Sequence, residues 1–181
     1  MSRPVQALLK DALEAINRGD TVSARPLLEE VLRREPRNVD ALNFKSIFAK
    51  REGDVGAARQ LMQQALAADS RRADIHGNLG NLHATLGQYE EAVAAYRAAL
   101  HVQPGFRAAQ LGLARSLLAL GDAAAAIAVA TTLIERESGD AEAWNVLGTA
   151  RRLAGDYDGA EQAFRAAVRA APAYAVARHN L

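Results

Sequence analysis

The chain has 181 residues, of which 50% are hydrophobic and 24% are charged, a composition typical of a folded rather than a disordered protein. Its 22 basic and 21 acidic side chains leave a formal charge of +1, so no bulk electrostatic attraction to nucleic acid or to an anionic membrane is expected. The absence of cysteine excludes disulfides and thiolate chemistry and fits both reducing and oxidising compartments.

Glycine recurs every 34 residues along the chain, at Gly19, Gly53, Gly87, Gly121 and Gly155. An alanine follows five residues after each of these glycines, and aspartate directly follows four of them. Such self-similarity is typical of a solenoid, in which similar helical units stack on their neighbours and present an extended surface to another molecule.

The period divides the chain into five repeats, residues 5–38, 39–72, 73–106, 107–140 and 141–174. In each repeat, two stretches rich in helix-forming residues flank the glycine. Glycine can take the left-handed conformation that ends a first helix, and the Asp after it can accept backbone N–H bonds that open a second helix. Each repeat is therefore predicted to be a helix, a tight turn and a second helix, which makes the chain an all-α solenoid.

Two repeats depart from this pattern at the start of the second helix. Pro26 lies inside the second helix of the first repeat, so that helix either begins late, with Ser23 near its cap, or kinks at the proline. In the third repeat Gln88 replaces the aspartate, and two glutamates in the first turn are expected to favour the helix N-terminus instead.

Small residues are predicted to let the two helices of a repeat approach closely, with one large side chain of the second helix packing against them. That large residue is Leu28, Met62, Tyr96 or Phe164 in four of the repeats. In the fourth repeat Ala130 takes its place, and Gln110 stands where other repeats have a bulky side chain. We predict that the fourth repeat is the weakest-packed one.

These residues resemble the tetratricopeptide repeat, whose 34-residue signature is Trp-x-x-Leu-Gly-x-x-Tyr, then Ala-x-x-x-Phe, then Pro. The fifth repeat carries most of it, in Trp144, Leu147, Gly148, Ala160, Phe164 and Pro172. The third repeat follows with Leu79, Gly80, Ala92, Tyr96 and Pro104. By this resemblance the fold is a right-handed superhelix of helix pairs, whereas the function is poorly specified.

The resemblance also implies that the first helices line the concave face of the superhelix, which in the family commonly holds an extended peptide or a helix. Asparagine suits such a groove because its amide both donates and accepts, and Arg or Lys would favour acidic or carboxylate-bearing ligands. The alternative is that most of these polar residues are ordinary solvated positions. The implied groove residues are Asn43, Lys50, Arg51, Arg72, Asp74, Asn78, Asn81, Phe106, Arg115, Asn145, Thr149 and Arg152.

Asn78 and Asn81 lie in an Asn-Leu-Gly-Asn segment that resembles the repeats of O-linked sugar transferases, where asparagines form a ladder along the groove. The ladder is incomplete here, because the equivalent residues of the fourth repeat are Gly112 and Arg115. Related repeats hold a chaperone's C-terminal carboxylate with a clamp of Lys, Asn and Arg. That clamp is missing, since apolar residues such as Leu9 take its places, and a chaperone tail is not an expected ligand.

No arrangement typical of an active site or a metal centre occurs in the sequence. His76 and His83 share a helix face but replace bulky residues of the signature, so we interpret them as packing residues. There is no His-Glu-x-x-His motif and no Gly-x-x-x-x-Gly-Lys-Ser loop. We therefore expect no catalytic residue, no metal and no cofactor.

Residues 175–181 look like the start of a sixth helix pair or a truncated cap, which predicts that the chain is the N-terminal part of a longer protein. An incomplete cap would leave Ala163, Phe164 and Ala167 exposed, and this end would then be able to self-associate.

The N-terminus lacks the uninterrupted apolar core of a signal peptide, and the longest apolar stretch, Ala123 to Ile134, is far shorter than the roughly 20 residues that cross a bilayer. We expect a cytoplasmic, non-catalytic protein-interaction scaffold that binds a segment of a partner protein, without nucleic acid or membrane as partner. The alternative is the substrate-recruiting module of a larger enzyme of sulfotransferase, glycosyltransferase or hydroxylase type.

Overall fold

The computed structural model describes residues 3–180, and within that range it contains helices and no strand. Each pair of helices begins 34 residues after the previous pair, as the glycine period predicts. Within the described residues, every helix is too short or too polar to cross a membrane. The helices are α1 (Val5–Asn17), α2 (Thr21–Arg34), α3 (Val39–Arg51), α4 (Val55–Ala68), α5 (Ala73–Thr85), α6 (Tyr89–Val102), α7 (Arg107–Ala119), α8 (Ala123–Arg136), α9 (Ala141–Leu153), α10 (Tyr157–Ala170) and α11 (Ala175–Asn180).

The turn inside each pair works as predicted. All five glycines of the series have a left-handed backbone, with φ between +72° and +82°. The side chains of Asp20, Asp54, Asp122 and Asp156 each accept a hydrogen bond from the backbone N–H three residues further on, at 2.9 to 3.0 Å. Gln88 caps nothing, and its Oε1 lies 2.8 Å from His83 Nδ1 instead. The glycine therefore ends one helix, and in four repeats the aspartate starts the next.

Pro26 lies inside α2 without delaying its start. Because α2 begins at Thr21 with Asp20 as its N-cap, the first of the two alternatives, a late start near Ser23, is wrong. Proline has no N–H to donate to the carbonyl four residues earlier, at Val22. Val22 is 81% exposed, so water can satisfy that carbonyl.

The chain divides into two compact units, Met1–Ile75 and His76–Leu181, which we call the N-terminal and C-terminal units. In the N-terminal unit, α1, α2 and α3 build an apolar cluster around Leu28 and Phe48. In the C-terminal unit, apolar side chains cluster around Tyr96 and around Leu147. Each unit is therefore held by its own buried apolar side chains.

Large side chains meet glycines where the two helices of a pair approach each other. A Cβ on Gly80 would lie 2.7 Å from the ring of Tyr96, and a Cβ on Gly148 would lie 2.5 Å from the ring of Phe164. No side chain tolerates contacts this short, so both positions require glycine. The small-against-large packing predicted from the sequence is present in these two pairs.

The apolar side of α10 is buried, contrary to expectation. Ala163, Phe164 and Ala167 are at most 2% exposed. Ala163 belongs to the cluster around Leu147, and α11 packs against α10 with Ala177 fully buried. The prediction that these residues are exposed is wrong. Since self-association was expected because of that exposure, this surface gives no reason to expect it.

The left-handed turn gives a direct test of the fold. Gly121→Ala should lower the free energy of unfolding by about 1 kcal/mol, because its φ of +80° strains any residue with a Cβ. Gly139→Ala is the control: a Cβ at either position meets no atom within 4 Å, and only Gly121 has a positive φ. Urea unfolding followed by circular dichroism measures both variants. Equal unfolding midpoints would contradict this account of the turn.

Candidate functional site

In the N-terminal unit, three of the expected groove residues form one polar network. Asn43 is buried, and its Nδ2 donates to Asp74 Oδ2 at 3.1 Å. Arg72 donates to both carboxylate oxygens of Asp74 at 2.9 Å and to Asp40 Oδ1 at 2.7 Å. Asp40 is a member of this network that the sequence analysis misses.

The charges of this network stabilise one another. Burial by itself would raise the pKa of Asp74, but the hydrogen bonds and positive charge of Arg72 outweigh it, and the pKa lies below its ordinary value of 3.8. The same hydrogen bond raises the pKa of Arg72. Both groups therefore stay charged at neutral pH and form an ion pair with each other.

The other two expected groove residues of this unit lie at the C-terminal end of α3. Arg51 is exposed, and Lys50 is half-buried. Burial lowers the pKa of Lys50. The structure does not bring these two cations into the network of Arg72 and Asp74.

A cavity of about 420 Å³ in the N-terminal unit contains none of the expected groove residues. It lies between α2, α3 and α4, where Arg25 pairs with Glu52 and stacks over the ring of Phe48 at 5.3 Å. This cavity was not predicted from the sequence, because much of its lining comes from the second helices α2 and α4, whereas the expected groove residues lie on first helices or at the edges between repeats.

In the C-terminal unit, the hydroxyl of Tyr96 links two of the expected groove positions. It donates to Asn81 Oδ1 at 2.7 Å. Burial raises the pKa of the Tyr96 phenol, and the positive charge of Arg115 partly opposes this. The phenol is therefore protonated at neutral pH and acts as a donor, with the Arg115 guanidinium near enough to influence it.

Arg115 also belongs to an ion-pair network between α7 and α9. Arg115 and Arg107 each donate to Glu142, at 2.7 and 2.9 Å. Arg107 donates to both carboxylate oxygens of Asp140 as well, at 2.7 and 2.9 Å. Asp140 is 5% exposed and caps α9 through the N–H of Ala143. Two cations and two anions balance, so this surface has no net charge to attract phosphate groups.

Three more expected groove residues are on α9. Asn145 Oδ1 accepts a hydrogen bond from Asn180 Nδ2 at 2.8 Å, and the Thr149 hydroxyl donates to the backbone carbonyl of Asn145 at 3.0 Å. Arg152 lies apart from them, with its guanidinium 5.5 Å from the centre of the Phe164 ring.

The last two expected groove residues lie near the start of the C-terminal unit. Asn78 is half-buried on α5. Phe106 precedes α7, and its ring fills the space where Gly77 lacks a side chain, 2.9 Å from the position of a Cβ. Phe106 therefore packs against α5 next to Asn78.

The residues missed by the sequence analysis share a spacing. A separation of 31 to 35 residues, about one repeat, is shared by the pairs Asn43–Asp74, Arg72–Asp40, Arg107–Asp140, Arg107–Glu142 and Asn145–Asn180. Complementary polar residues one period apart in the sequence are the signal by which Asp40, Arg107, Glu142 and Asn180 could have been found. Within residues 3–180, no group of three or more His, Asp or Glu side chains is placed to hold a metal ion.

A second cavity, of about 140 Å³, lies beside Gln110 in the fourth repeat. Gln110 Nε2 donates to the carbonyl of Pro104 at 3.3 Å, whereas its Oε1 is buried with no partner among the described residues. An unpaired buried acceptor is unfavourable. This feature is consistent with the weak packing predicted for this repeat.

Gln110→Leu should therefore raise the free energy of unfolding by about 1 kcal/mol, since it removes the unpaired oxygen and adds apolar contacts. Leucine already occupies the equivalent place in the first two repeats, at Leu8 and Leu42. Gln162→Leu, the same change at an exposed position of α10, is the control and should have little effect. Thermal unfolding distinguishes them, and a lower midpoint for Gln110→Leu would contradict the prediction.

Removing Arg107 should destabilise the protein in a pH-dependent way. Burial would raise the pKa of Asp140, but the hydrogen bonds of Arg107 and of the Ala143 N–H outweigh it and keep the pKa below 3.8. The stability that this depressed pKa contributes is present above about pH 4 and is lost as the pH falls further. Arg107→Gln should cost about 2 kcal/mol at neutral pH, because it leaves a buried carboxylate without its cation.

The deficit of Arg107→Gln relative to the wild type should shrink below about pH 4, where Asp140 becomes protonated in both proteins. Arg115→Gln is the matched control, since its side chain is 54% exposed and its pair with Glu142 contributes under about 0.5 kcal/mol. Urea unfolding across this pH range tests both. A deficit that does not change with pH would contradict the role of Asp140.

The chain is similar to known repeat proteins both in sequence and in structure. A family model described as a tetratricopeptide repeat matches residues 9–73, 49–108, 78–136 and 111–175. The solved structure of MamA is similar at 20% identity and a TM-score of 0.80, covering 94% of this chain and 93% of that one. YrrB, described as a TPR protein with an unusual peptide-binding site, is similar at 17% identity and a TM-score of 0.82, covering 95% and 89%.

A third structure has higher identity over a shorter range. The O-GlcNAc transferase of Thermobaculum terrenum, solved as a mutant, is 31% identical with a TM-score of 0.68, covering 75% of this chain and 27% of that one. No protein with a curated description matches the sequence significantly.

Proposed function

The chain belongs to the tetratricopeptide repeat family, and we propose that it binds an extended segment of a partner protein along the first helices of its C-terminal unit. Repeats of this family are generally non-catalytic protein-interaction scaffolds. The choice of surface and of ligand is supported by the polar side chains of α5, α7 and α9.

One observation carries the proposal. Asn81, Arg115 and Thr149 occupy the same place in three successive first helices, 34 residues apart, and none of them is buried. Equivalent positions in successive repeats lie at the same place on their helices, so a polar side chain recurs there once per repeat. The backbone of an extended peptide offers hydrogen-bond donors and acceptors at regular intervals, so it can pair with polar side chains that recur once per repeat.

The charge of this surface favours a peptide backbone over a strongly charged ligand. Arg107 and Arg115 are already paired with Asp140 and Glu142. Their charges are compensated within the protein, so hydrogen bonds to a neutral backbone are the interaction that remains. The peptide-binding site in the description of YrrB belongs to that protein, and its similar fold adds support for the same use here.

Peptides selected from a random library displayed on phage supply a defined probe for this proposal. The double variant Asn78→Ala, Asn81→Ala should weaken the affinity for a selected, fluorescein-labelled peptide about tenfold, because two hydrogen bonds are lost. Arg97→Ala, an exposed position of the second helix α6, is the control and should bind normally. Fluorescence anisotropy measures the affinities, and circular dichroism confirms folding.

Two results would count against the proposal. Failure to select any peptide that binds the wild type would contradict peptide binding itself. Unchanged affinity in the double variant would mean that the peptide binds elsewhere, and the cavity between α2, α3 and α4 would then be the next surface to test.

The likeness to the O-GlcNAc transferase favours a second candidate, in which these repeats recruit substrates for a larger enzyme. The matched region is 27% of that chain, so most of that protein lies outside the similarity. An immunoblot of the endogenous protein separates the two candidates. A band far above 19.3 kDa would support the recruiting module, and a band at that mass would support a free-standing scaffold.

A further inference from the structure

Tyr96 carries a hydroxyl at a position where the other repeats have none. The equivalent residues are Leu28, Met62, Ala130 and Phe164. Phe164 shows that an aromatic ring alone can fill this position and pack against the glycine of its own repeat. Packing by itself therefore does not account for the hydroxyl of Tyr96.

Two glycines make room for the phenol between α5 and α7. A Cβ on Gly80 would lie 2.7 Å from the Tyr96 ring, and a Cβ on Gly112 would lie 2.3 Å from the ring and 2.7 Å from the hydroxyl oxygen. Gly112 is the residue that interrupts the asparagine ladder expected from the sequence. The space that an asparagine would fill there is taken by the Tyr96 hydroxyl.

The hydroxyl of Tyr96 donates a hydrogen bond to the carboxamide oxygen of Asn81 and, within the described residues, leaves the carboxamide nitrogen unbonded. Tyr96 is 2% exposed, whereas Asn81 is exposed, so the hydrogen bond runs from the core to the surface of the first helices. The phenol donates to Oδ1 at 2.7 Å. The two N–H groups of Asn81 Nδ2 have no acceptor among residues 3–180.

We propose that Tyr96 is a positioning residue that holds the Asn81 carboxamide with only its donors free, and that the partner segment places a backbone carbonyl oxygen on them. This inference rests on the proposed function. Arg115 lies beside the same phenol and adds positive potential, which favours an oxygen acceptor. Because Arg115 is already paired with Glu142, a neutral carbonyl suits the site better than a carboxylate.

Two variants separate the orientation of the Asn81 carboxamide by Tyr96 from hydrogen-bond donation by Asn81 to the peptide. Tyr96→Phe removes the hydroxyl and keeps the ring, as Phe164 does in the fifth repeat, and should weaken the affinity for the phage-selected peptide about fivefold. Asn81→Asp keeps an acceptor for the Tyr96 hydroxyl but replaces the two donors with a second acceptor, and should weaken it more than about tenfold.

A measurement without any ligand tests the positioning directly. NMR relaxation of the side-chain NH₂ group of Asn81 should show restricted motion in the wild type and greater motion in Tyr96→Phe. Asn17, exposed at the end of α1, is the reference for an unrestrained asparagine side chain. Thermal unfolding of both variants checks that the fold is kept.

The outcomes distinguish the inference from the proposed function. If Asn81 is as mobile as Asn17 in the wild type, the positioning role of Tyr96 is overturned whatever the protein binds. If a selected peptide binds the wild type, Tyr96→Phe and Asn81→Asp equally well, the carbonyl site is overturned while peptide binding stands. If the wild type binds no selected peptide, the proposed function fails, whereas the order of the Asn81 amide is decided separately.

Discussion

The left-handed glycine turn is the constraint on which the rest of the structure depends. Because φ is positive at each of the five glycines, each first helix stops two residues before its glycine and the second helix begins two residues after it. Within the C-terminal unit, helices of constant length then place residues about one repeat apart next to each other. This is why Arg107 meets Asp140 and Asn145 meets Asn180, at separations of about one repeat. One residue added within a helix would turn the residues after it by about 100° around the helix axis and would break such contacts.

The contacts between large and small residues couple the core to the surface. In the third repeat, Gly80 lets the Tyr96 ring approach α5, and Gly112 lets it pass α7 and reach Asn81. A single side chain thereby contributes to the apolar cluster and to the hydrogen bonding of an exposed amide. The gap in the asparagine ladder at Gly112 is consequently part of the packing of Tyr96. It follows that a groove residue here cannot be judged from its own helix alone.

The sequence predicts the helices and turns well because their determinants are local. A Gly-Asp pair carries both the stop and the start of a helix within two residues, and the observed turns have the predicted left-handed glycine. The pairing of Asn43 with Asp74 and the unpaired oxygen of Gln110 depend on side chains of other helices, so the composition of one helix does not reveal them. The burial of Phe164 was missed for the same reason, because its ring packs against Gly148 on another helix.

The internal pairing of polar groups limits what the C-terminal unit can recognise. A groove residue that is already bonded within the protein must lose that bond before it can bind a ligand, so its net contribution to affinity is small. Arg107 and Arg115 are already bonded within the protein, whereas the amide N–H groups of Asn81 have no bond to any described residue. If the C-terminal unit binds a peptide as we propose, recognition depends on the shape and hydrogen bonding of the peptide backbone more than on charge. Binding of this kind responds weakly to salt, since few counterions are displaced when a neutral segment docks.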